Sequence, residues 1–278
     1  MMDNAIPSAR AAHQARAARQ FEKIAAAVRV AGLALLVALG LRAFVVEPFN
    51  IPSESMLPTL LAGDYLFVAK WPYGYSRYSL PLAPPLFDGR IAGAAPRRGD
   101  IVVFKTPRDN RTDFIKRVIG LPGDRVRMIG GAIELNGAIV AKVRTTDFIL
   151  PMAPGGSCHS AAPVKPAAGG GITCRYPRYL ETLGSKTYAV LDEYAGDPPD
   201  DTPLVTVPAG HYFVEGDNRD DSADSRLSIA EGGVGMVPAQ NLVGRAEVIF
   251  FSTSGTAVGN QPSTWLDTLR LSRFGTRL

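Results

Sequence analysis

Three short stretches concentrate the residues able to do chemistry: Ser53 and Ser55 in PFNIPSESMLPTL (48–60), Lys116 in DFIKRVIGLPGD (113–124), and the charged run GDNRDDSADSR (216–226). A serine hydroxyl is a weak nucleophile near neutral pH and needs a base. Histidine is the usual base, and the chain has three. His13 precedes a long apolar stretch, and His159 lies in a Gly/Pro/Ala-rich run. His211, in PAGHYFVEG, is the one credible base of the three, yet a structural histidine at a strand start accounts for it better.

A lysine can serve instead if burial lowers its pKa from about 10.4 toward neutrality by disfavouring the ammonium. Of seven lysines, Lys116 is set among Phe114, Ile115, Val118 and Ile119. On a strand it shares a face with Phe114 and Val118, while Arg117 points the other way. Lys70 and Lys105 also end apolar strands, and local composition does not separate the three; a solvated strand lysine is the plain alternative for each. Prolines 52 and 58 stiffen the loop around the two serines, although a turn with a helix cap explains that loop equally well.

The run 216–226 holds four aspartates and two arginines. An EF-hand calcium loop requires glycine at its sixth position and a distal glutamate, which this order does not supply. An ion-pair network, with Asp224 and Arg226 as natural partners, is compatible with a role in holding a neighbouring site rigid. Cys158 and Cys174 lie in the irregular stretch 151–175. In an oxidising compartment they can close a loop of about 15 residues, worth about 3 kcal/mol in the loop-entropy model. Cys158 stands beside His159, but no second Cys–His pair lies at ligand spacing, which argues against zinc. Two free thiols remain an alternative.

The elements that must position these groups can be read coarsely. The chain of 278 residues has 46% hydrophobic and 20% charged residues and a net charge of +4. That composition is ordinary for a folded protein. Residues 1–46 carry six basic and two acidic groups, so the remainder is neutral overall. Nucleic acid is therefore not expected as a partner, because its binders carry their excess on the folded domain. The stretch IAAAVRVAGLALLVALGLRAFVV (24–46) is charged only at Arg29 and Arg42. Its 23 residues suffice for a hydrocarbon core about 30 Å thick, with both arginines snorkelling to the interfaces. A cleaved signal peptide fits less well, since EPFNIPSES offers no small-x-small cut site. A buried helix of a soluble protein is the other alternative. Five basic residues at or before Arg29 place the N-terminus in the cytoplasm and the residues from 47 onward outside it.

Beyond the span, short β-like runs dominate, at 64–70, 100–105, 113–120, 125–129, 132–135 and 138–140, then at 186–193, 203–207, 211–215 and 242–251. Gly130-Gly131 and Asn136-Gly137 are linkers of tight hairpins, so 125–142 reads as a meander. Residues 147–175 lack periodicity and read as a loop. The expected fold is mainly β: an antiparallel catalytic domain with a smaller β-rich insertion, preceded by one N-terminal transmembrane helix. The expected division is a basic tail at 1–23, the span at 24–46, a catalytic domain at 47–124 and 206–278, and the insertion at 125–205. The aromatic run WPYGYSRY (71–78) followed by LPLAPPLF suits either the membrane interface or core packing.

The blocks PSESMLPTL, GDIVVFK with DFIKRVIGLPGD, and GDNRDDSADSR with NLVGRAEVIF follow in this order after the apolar segment. Together, over about Phe49 to Phe250, they resemble bacterial type I signal peptidase (leader peptidase), a Ser/Lys-dyad serine protease family. The resemblance implies that Ser55 is the nucleophile and Lys116 its general base. It further implies an oxyanion hole from the Ser53 hydroxyl and the Ser55 N–H, with Ser222 orienting the lysine and Asp224 and Arg226 bracing the site. It implies two antiparallel-sheet domains, no metal and no organic cofactor. The partners it implies are signal-peptide-bearing preproteins cut after small-x-small sites and the lipid bilayer, here the inner (cytoplasmic) membrane. Asp221 stands where many relatives have Asn, so it is expected to face away from Lys116, whose ammonium it would otherwise favour. The rival readings are a self-cleaving repressor with the same dyad, a pilus- or conjugation-specific peptidase, and an inactive module that binds exported peptides.

Overall fold

The computed structural model of the chain describes residues 9–152, 158, 165–166, 171–254, 266 and 268–278, with backbone only for 9–18 and 165–166. Helix α1 runs from Ala9 to Phe44. Its Arg19–Phe44 part has 26 residues, none buried against the rest of the chain. At about 1.5 Å per residue that part exceeds the hydrocarbon thickness of a bilayer. The helix ends two residues before the expected limit of 46, because Val46 already starts strand β1 (Val46–Asn50). Pro48 cannot continue a helix, and the Val45 carbonyl accepts from the Lys70 N–H at 3.0 Å.

One large antiparallel sheet carries the site. Its order is β1, β2 (Asp64–Ala69), β17 (Leu242–Ser252), β3 (Ile101–Lys105), β4 (Asp113–Gly120), β15 (His211–Glu215) and β16 (Val237–Pro238), with β18 (Thr276–Arg277) beside β17. One face packs Ile51, Met56, Leu60, Leu66, Val103 and Ile249. The other packs Val102, Phe104, Val118, Tyr212, Val214 and Leu242. Strands β3 and β4 are almost wholly buried, as a central position demands.

Between β4 and β15 the chain forms three small sheets. Strands β5 (Arg125–Ile129), β6 (Ala132–Leu135) and β7 (Ala138–Ile139) make the expected meander, joined by β14 (Val205–Thr206). Both residues of each turn have positive φ, 52° and 73° at Gly130-Gly131 and 55° and 85° at Asn136-Gly137. That is the type I′ geometry that matches strand twist. Strands β8 (Ala141–Arg144), β12 (Arg178–Leu183) and β13 (Lys186–Leu191) form a second sheet. The third contains β9 (Phe148–Met152), β10 (Lys165–Pro166) and β11 (Ile172–Tyr176).

This third sheet corrects the reading of 147–175 as a loop. Within β9 and β11 only Leu150, Cys174 and Tyr176 are buried. The alternation is too short to register, and Pro151 interrupts it. Cys158 and Cys174 are joined by a disulfide, with Cα atoms 5.6 Å apart. Both pack with Leu57 and Leu61, directly behind the serine loop.

Candidate active site

Ser55 lies on the loop between the antiparallel neighbours β1 and β2. The loop is closed by backbone bonds from Ile51 to Asp64 at 2.8 Å and from Gly63 to Ile51 at 2.9 Å. Met56 and Leu60 are fully buried and pin it to the large sheet, while Leu57 packs against the disulfide-bearing sheet. The Ser55 carbonyl accepts from the Asn218 N–H at 3.1 Å, tying the loop to the 216–226 run.

Lys116 is in the middle of β4, opposite Val102 of β3. Its Nζ lies 2.6 Å from Ser55 Oγ. It is 3% exposed, and the Phe114 ring centroid is 5.6 Å away. Burial lowers its pKa from 10.5 to about 8, opposed by Asp224, Asp217 and Asp221 in that order and assisted by Arg226. The competing lysines are committed elsewhere. Lys70 pairs with Glu47 at 2.9 Å and donates to the Ser79 carbonyl at 2.5 Å. Lys105 pairs with Asp113 at 2.7 Å. His211 Nδ1 stands 3.0 Å from the Ala209 carbonyl, outside the cleft, and His159 falls outside the described residues.

A cleft of about 810 Å³ surrounds the pair, lined by Pro52, Ser53, Ser55, Ile115, Lys116 and Ser222 among others. Ser53 is exposed, with its Oγ 3.4 Å from Ser55 Oγ. Ser222 enters the cleft, where it was expected to orient Lys116, but among the described residues its buried Oγ makes no regular hydrogen bond, to Lys116 or otherwise. That Oγ instead helps hold down the pKa of Asp224. Asp221 is exposed and forms no ion pair with Lys116, although its charge still reaches the amine.

Asp224 and Arg226 form a buried bidentate pair, both bonds 2.9 Å. The carboxylate also accepts from the Gly216 N–H at 3.0 Å. Gly216 is needed for close approach, since a Cβ there would meet Ser222 Oγ at 2.2 Å and the Ser55 carbonyl oxygen at 2.4 Å.

Three further buried ion pairs, made by two arginines, escaped the sequence reading. Arg117 grips Asp217 through bonds of 2.7 and 2.6 Å, stacks 4.1 Å from the Tyr188 centroid and donates to the Gly99 carbonyl. Arg219 binds Glu181 of β12 at 2.5 Å and also Glu215. Glu215 is fully buried, and desolvation raises its pKa from 4.5 to about 7. The signal available in the sequence was Arg117, a charge on the face opposite Lys116 within an otherwise apolar strand. Asp192, Asp200 and Asp220 also converge within 4.8 Å, but Lys142 pairs with Asp192, and the Glu193 and Tyr194 amides bond Asp220.

The arrangement suits acyl transfer. A serine hydroxyl touches an amine made a near-neutral base by burial, and the Ser53 hydroxyl lies 3.4 Å from the Ser55 hydroxyl. Strand β15 pairs with β4 only from Arg117 to Gly120. Among the described strands, none pairs with that edge at Asp113–Lys116, which leaves room for an extended peptide.

Residues 24–251 match the family model described as signal peptidase, peptidase S26. Signal peptidase I of Rickettsia typhi is 35% identical over 258 residues, covering 86% of this chain and 88% of the relative. Signal peptidase I of Rickettsia prowazekii is 34% identical over the same share of this chain. A signal peptidase I crystal structure from Enterococcus faecalis V583 aligns with 55% of this chain and 97% of its own at 22% identity, with a TM-score of 0.29.

Proposed function

The chain belongs to the signal peptidase family, peptidase S26, and on that premise we propose that Ser55 and Lys116 are the dyad with which it removes signal peptides from secretory preproteins. The observation that carries the assignment is the 2.6 Å approach of Lys116 Nζ to Ser55 Oγ. Ser55 Oγ attacks the carbonyl carbon of the substrate's −1 residue, and its proton passes to neutral Lys116. The Ser55 N–H and the Ser53 hydroxyl stabilise the oxyanion of the tetrahedral intermediate. Lys116 then protonates the leaving amine, and the signal peptide stays esterified to Ser55. Lys116 next takes a proton from water as the water attacks the ester carbonyl. It then gives that proton to Ser55 Oγ as the acyl–oxygen bond breaks, which releases the signal peptide as its carboxylate and restores the neutral lysine.

The substrate lies as an added strand along Asp113–Lys116, where shallow subsites admit small side chains at −1 and −3. Asp224, itself held by Arg226, accepts from the Gly216 N–H, and the Asn218 N–H bonds the Ser55 carbonyl, which keeps Ser55 in register with the lysine, while Ser222 lines the cleft around them. Helix α1 is the membrane anchor, with its N-terminus cytoplasmic and the catalytic domain on the exported side of the inner membrane. The catalytic domain comprises 47–124 and 206–278, and the inserted domain 125–205. Acid quenching during turnover of a slow ester substrate tests the assignment. A covalent adduct mapped by mass to Ser55 supports it, and an adduct on another residue overturns it.

A further inference from the structure

Both peptide groups that flank Ser55 are bonded to one residue, Asn218. The Asn218 backbone N–H donates to the Ser55 carbonyl at 3.1 Å. Its side-chain Nδ2 donates to the Glu54 carbonyl at 3.3 Å. That carbonyl also accepts from the Leu57 N–H at 2.9 Å. Rotation about φ of Ser55 turns the Glu54–Ser55 peptide, and rotation about ψ turns the peptide that follows. Asn218 therefore restrains both soft dihedrals of the nucleophile.

Asn218 is itself fixed. It is 1% exposed. Its neighbour Asp217 is gripped by Arg117, the residue after Lys116, and accepts from the Thr59 hydroxyl of the serine loop at 2.5 Å. On the other side Asn218 bridges Leu191 at the end of β13, whose N–H donates to the Asp217 carbonyl at 2.8 Å. The side-chain amide has one orientation that bonds. Reversed, its oxygen would face the Glu54 carbonyl, acceptor against acceptor. In the bonded orientation Oδ1 is buried with no partner among the described residues, which costs stability. A side chain present only for packing carries no such cost, so the Nδ2 bond is what the position requires.

Ser53 and Ser55 line the cleft, whereas Glu54 and Asn218 do not. The Glu54 carbonyl is thus fixed behind the serine, and in a planar trans peptide the N–H of the next residue points the opposite way. Ser55 is 9% exposed, and its N–H donates to no acceptor among the described residues. We propose that Asn218 is a positioning residue, which through the Glu54 carbonyl aims the Ser55 N–H at the oxyanion of the tetrahedral intermediate. The inference rests on the reading of Ser55 as the nucleophile. Asn218 touches no reacting atom; it sets the direction of a donor that no acceptor holds. The oxyanion develops only as the carbonyl carbon becomes tetrahedral. An N–H turned aside therefore costs transition-state stabilisation and leaves ground-state binding as it was.

The test uses two variants of the detergent-solubilised full chain, Asn218→Ala and Asn218→Leu. Both lose the side-chain donor and keep the backbone bond to Ser55. Leucine also keeps the shape of the side chain and removes the unpaired oxygen, so the fold is retained. The substrates are a soluble peptide ester with A-x-A on its acyl side and the matching thionoester, whose sulfur is a poorer acceptor for an N–H. The wild type is expected to prefer the oxoester by roughly 100-fold or more. Each variant is expected to lower kcat on the oxoester roughly 10- to 100-fold, with KM within about twofold and the pH midpoint unmoved. The thionoester should slow by no more than about threefold, so the preference for oxygen falls. Equal slowing of both esters, as a merely loosened loop would give, overturns the proposal, and so does an unchanged oxoester rate. Oxoester cleavage that survives Ser55→Ala would instead overturn the dyad itself, which keeps the two failures distinct.

Discussion

Lys116 Nζ stands 2.6 Å from Ser55 Oγ and forms no ion pair among the described residues. The nearest acidic partners are spoken for, Asp224 by Arg226 and Asp217 by Arg117. This arrangement leaves burial as the dominant influence on the amine, and burial favours the neutral form that a general base requires.

The activity should therefore follow the titration of Lys116. kcat/KM is expected to rise with pH through an apparent pKa of about 8, as the ammonium loses its proton. Asp221→Asn removes the third of the opposing charges and should move the midpoint down by a fraction of a unit, since Asp221 is exposed. A pH–rate profile of both proteins checks this. An upward shift, or one larger than about a unit, would contradict it.

The same burial costs stability. The folded-state pKa of Lys116 lies below its ordinary value of 10.5. Below about pH 8 the folded protein must hold a desolvated ammonium or give up a proton that the unfolded chain keeps. Lys116→Met is thus expected to be inactive yet more stable, by up to roughly 3 kcal/mol at pH 7. The gap should close as pH rises from about 8 to 10.5, where the unfolded chain also loses its proton. Thermal unfolding across pH measures it.

Gly216→Ala inserts a methyl group 2.4 Å from the Ser55 carbonyl oxygen, so the serine must move. A displacement near 1 Å costs on the order of 100-fold in rate. The expected result is that fall in kcat with KM little changed, measured on protein whose circular dichroism is native.

Glu215 shares the Arg219 guanidinium with Glu181 in a fully buried site. Its raised pKa means that its stabilising contribution is complete below about pH 4.5 and is lost as pH rises through about 7. Glu215→Gln keeps an acceptor for Arg219 without the surplus charge. It should therefore gain on the wild type above pH 7 and match it more closely at pH 5. Denaturant titrations at the two pH values decide this, and a greater relative gain at pH 5 would refute it.

Much of the architecture was legible because the strands of the large sheet are long, apolar and bounded by turn residues. DIVVFK and DFIKRVIG showed themselves as β3 and β4, and the Gly130-Gly131 and Asn136-Gly137 turns located the meander. The β9–β11 sheet was not legible, because its buried residues come one or two per strand. The site divides in the same way. Ser55 and Lys116 sit in local contexts that single them out once the motif order is considered. The pairing of Arg219 with Glu181, 38 positions away, depends on how the insertion packs against the 216–226 run. Ser222 shows the limit of motif transfer, since its hydroxyl is placed in the cleft without the expected bond to Lys116.

The most direct test is cleavage of a secretory precursor with an A-x-A site by the detergent-solubilised full chain, beside Ser55→Ala and Lys116→Ala, with the cut bond identified by product mass. Cleavage after A-x-A by the wild type, lost in both variants while their unfolding transitions remain cooperative, is the predicted result. Cleavage that survives Ser55→Ala, or a precursor that binds and stays intact with the wild type, would contradict the Ser55–Lys116 assignment.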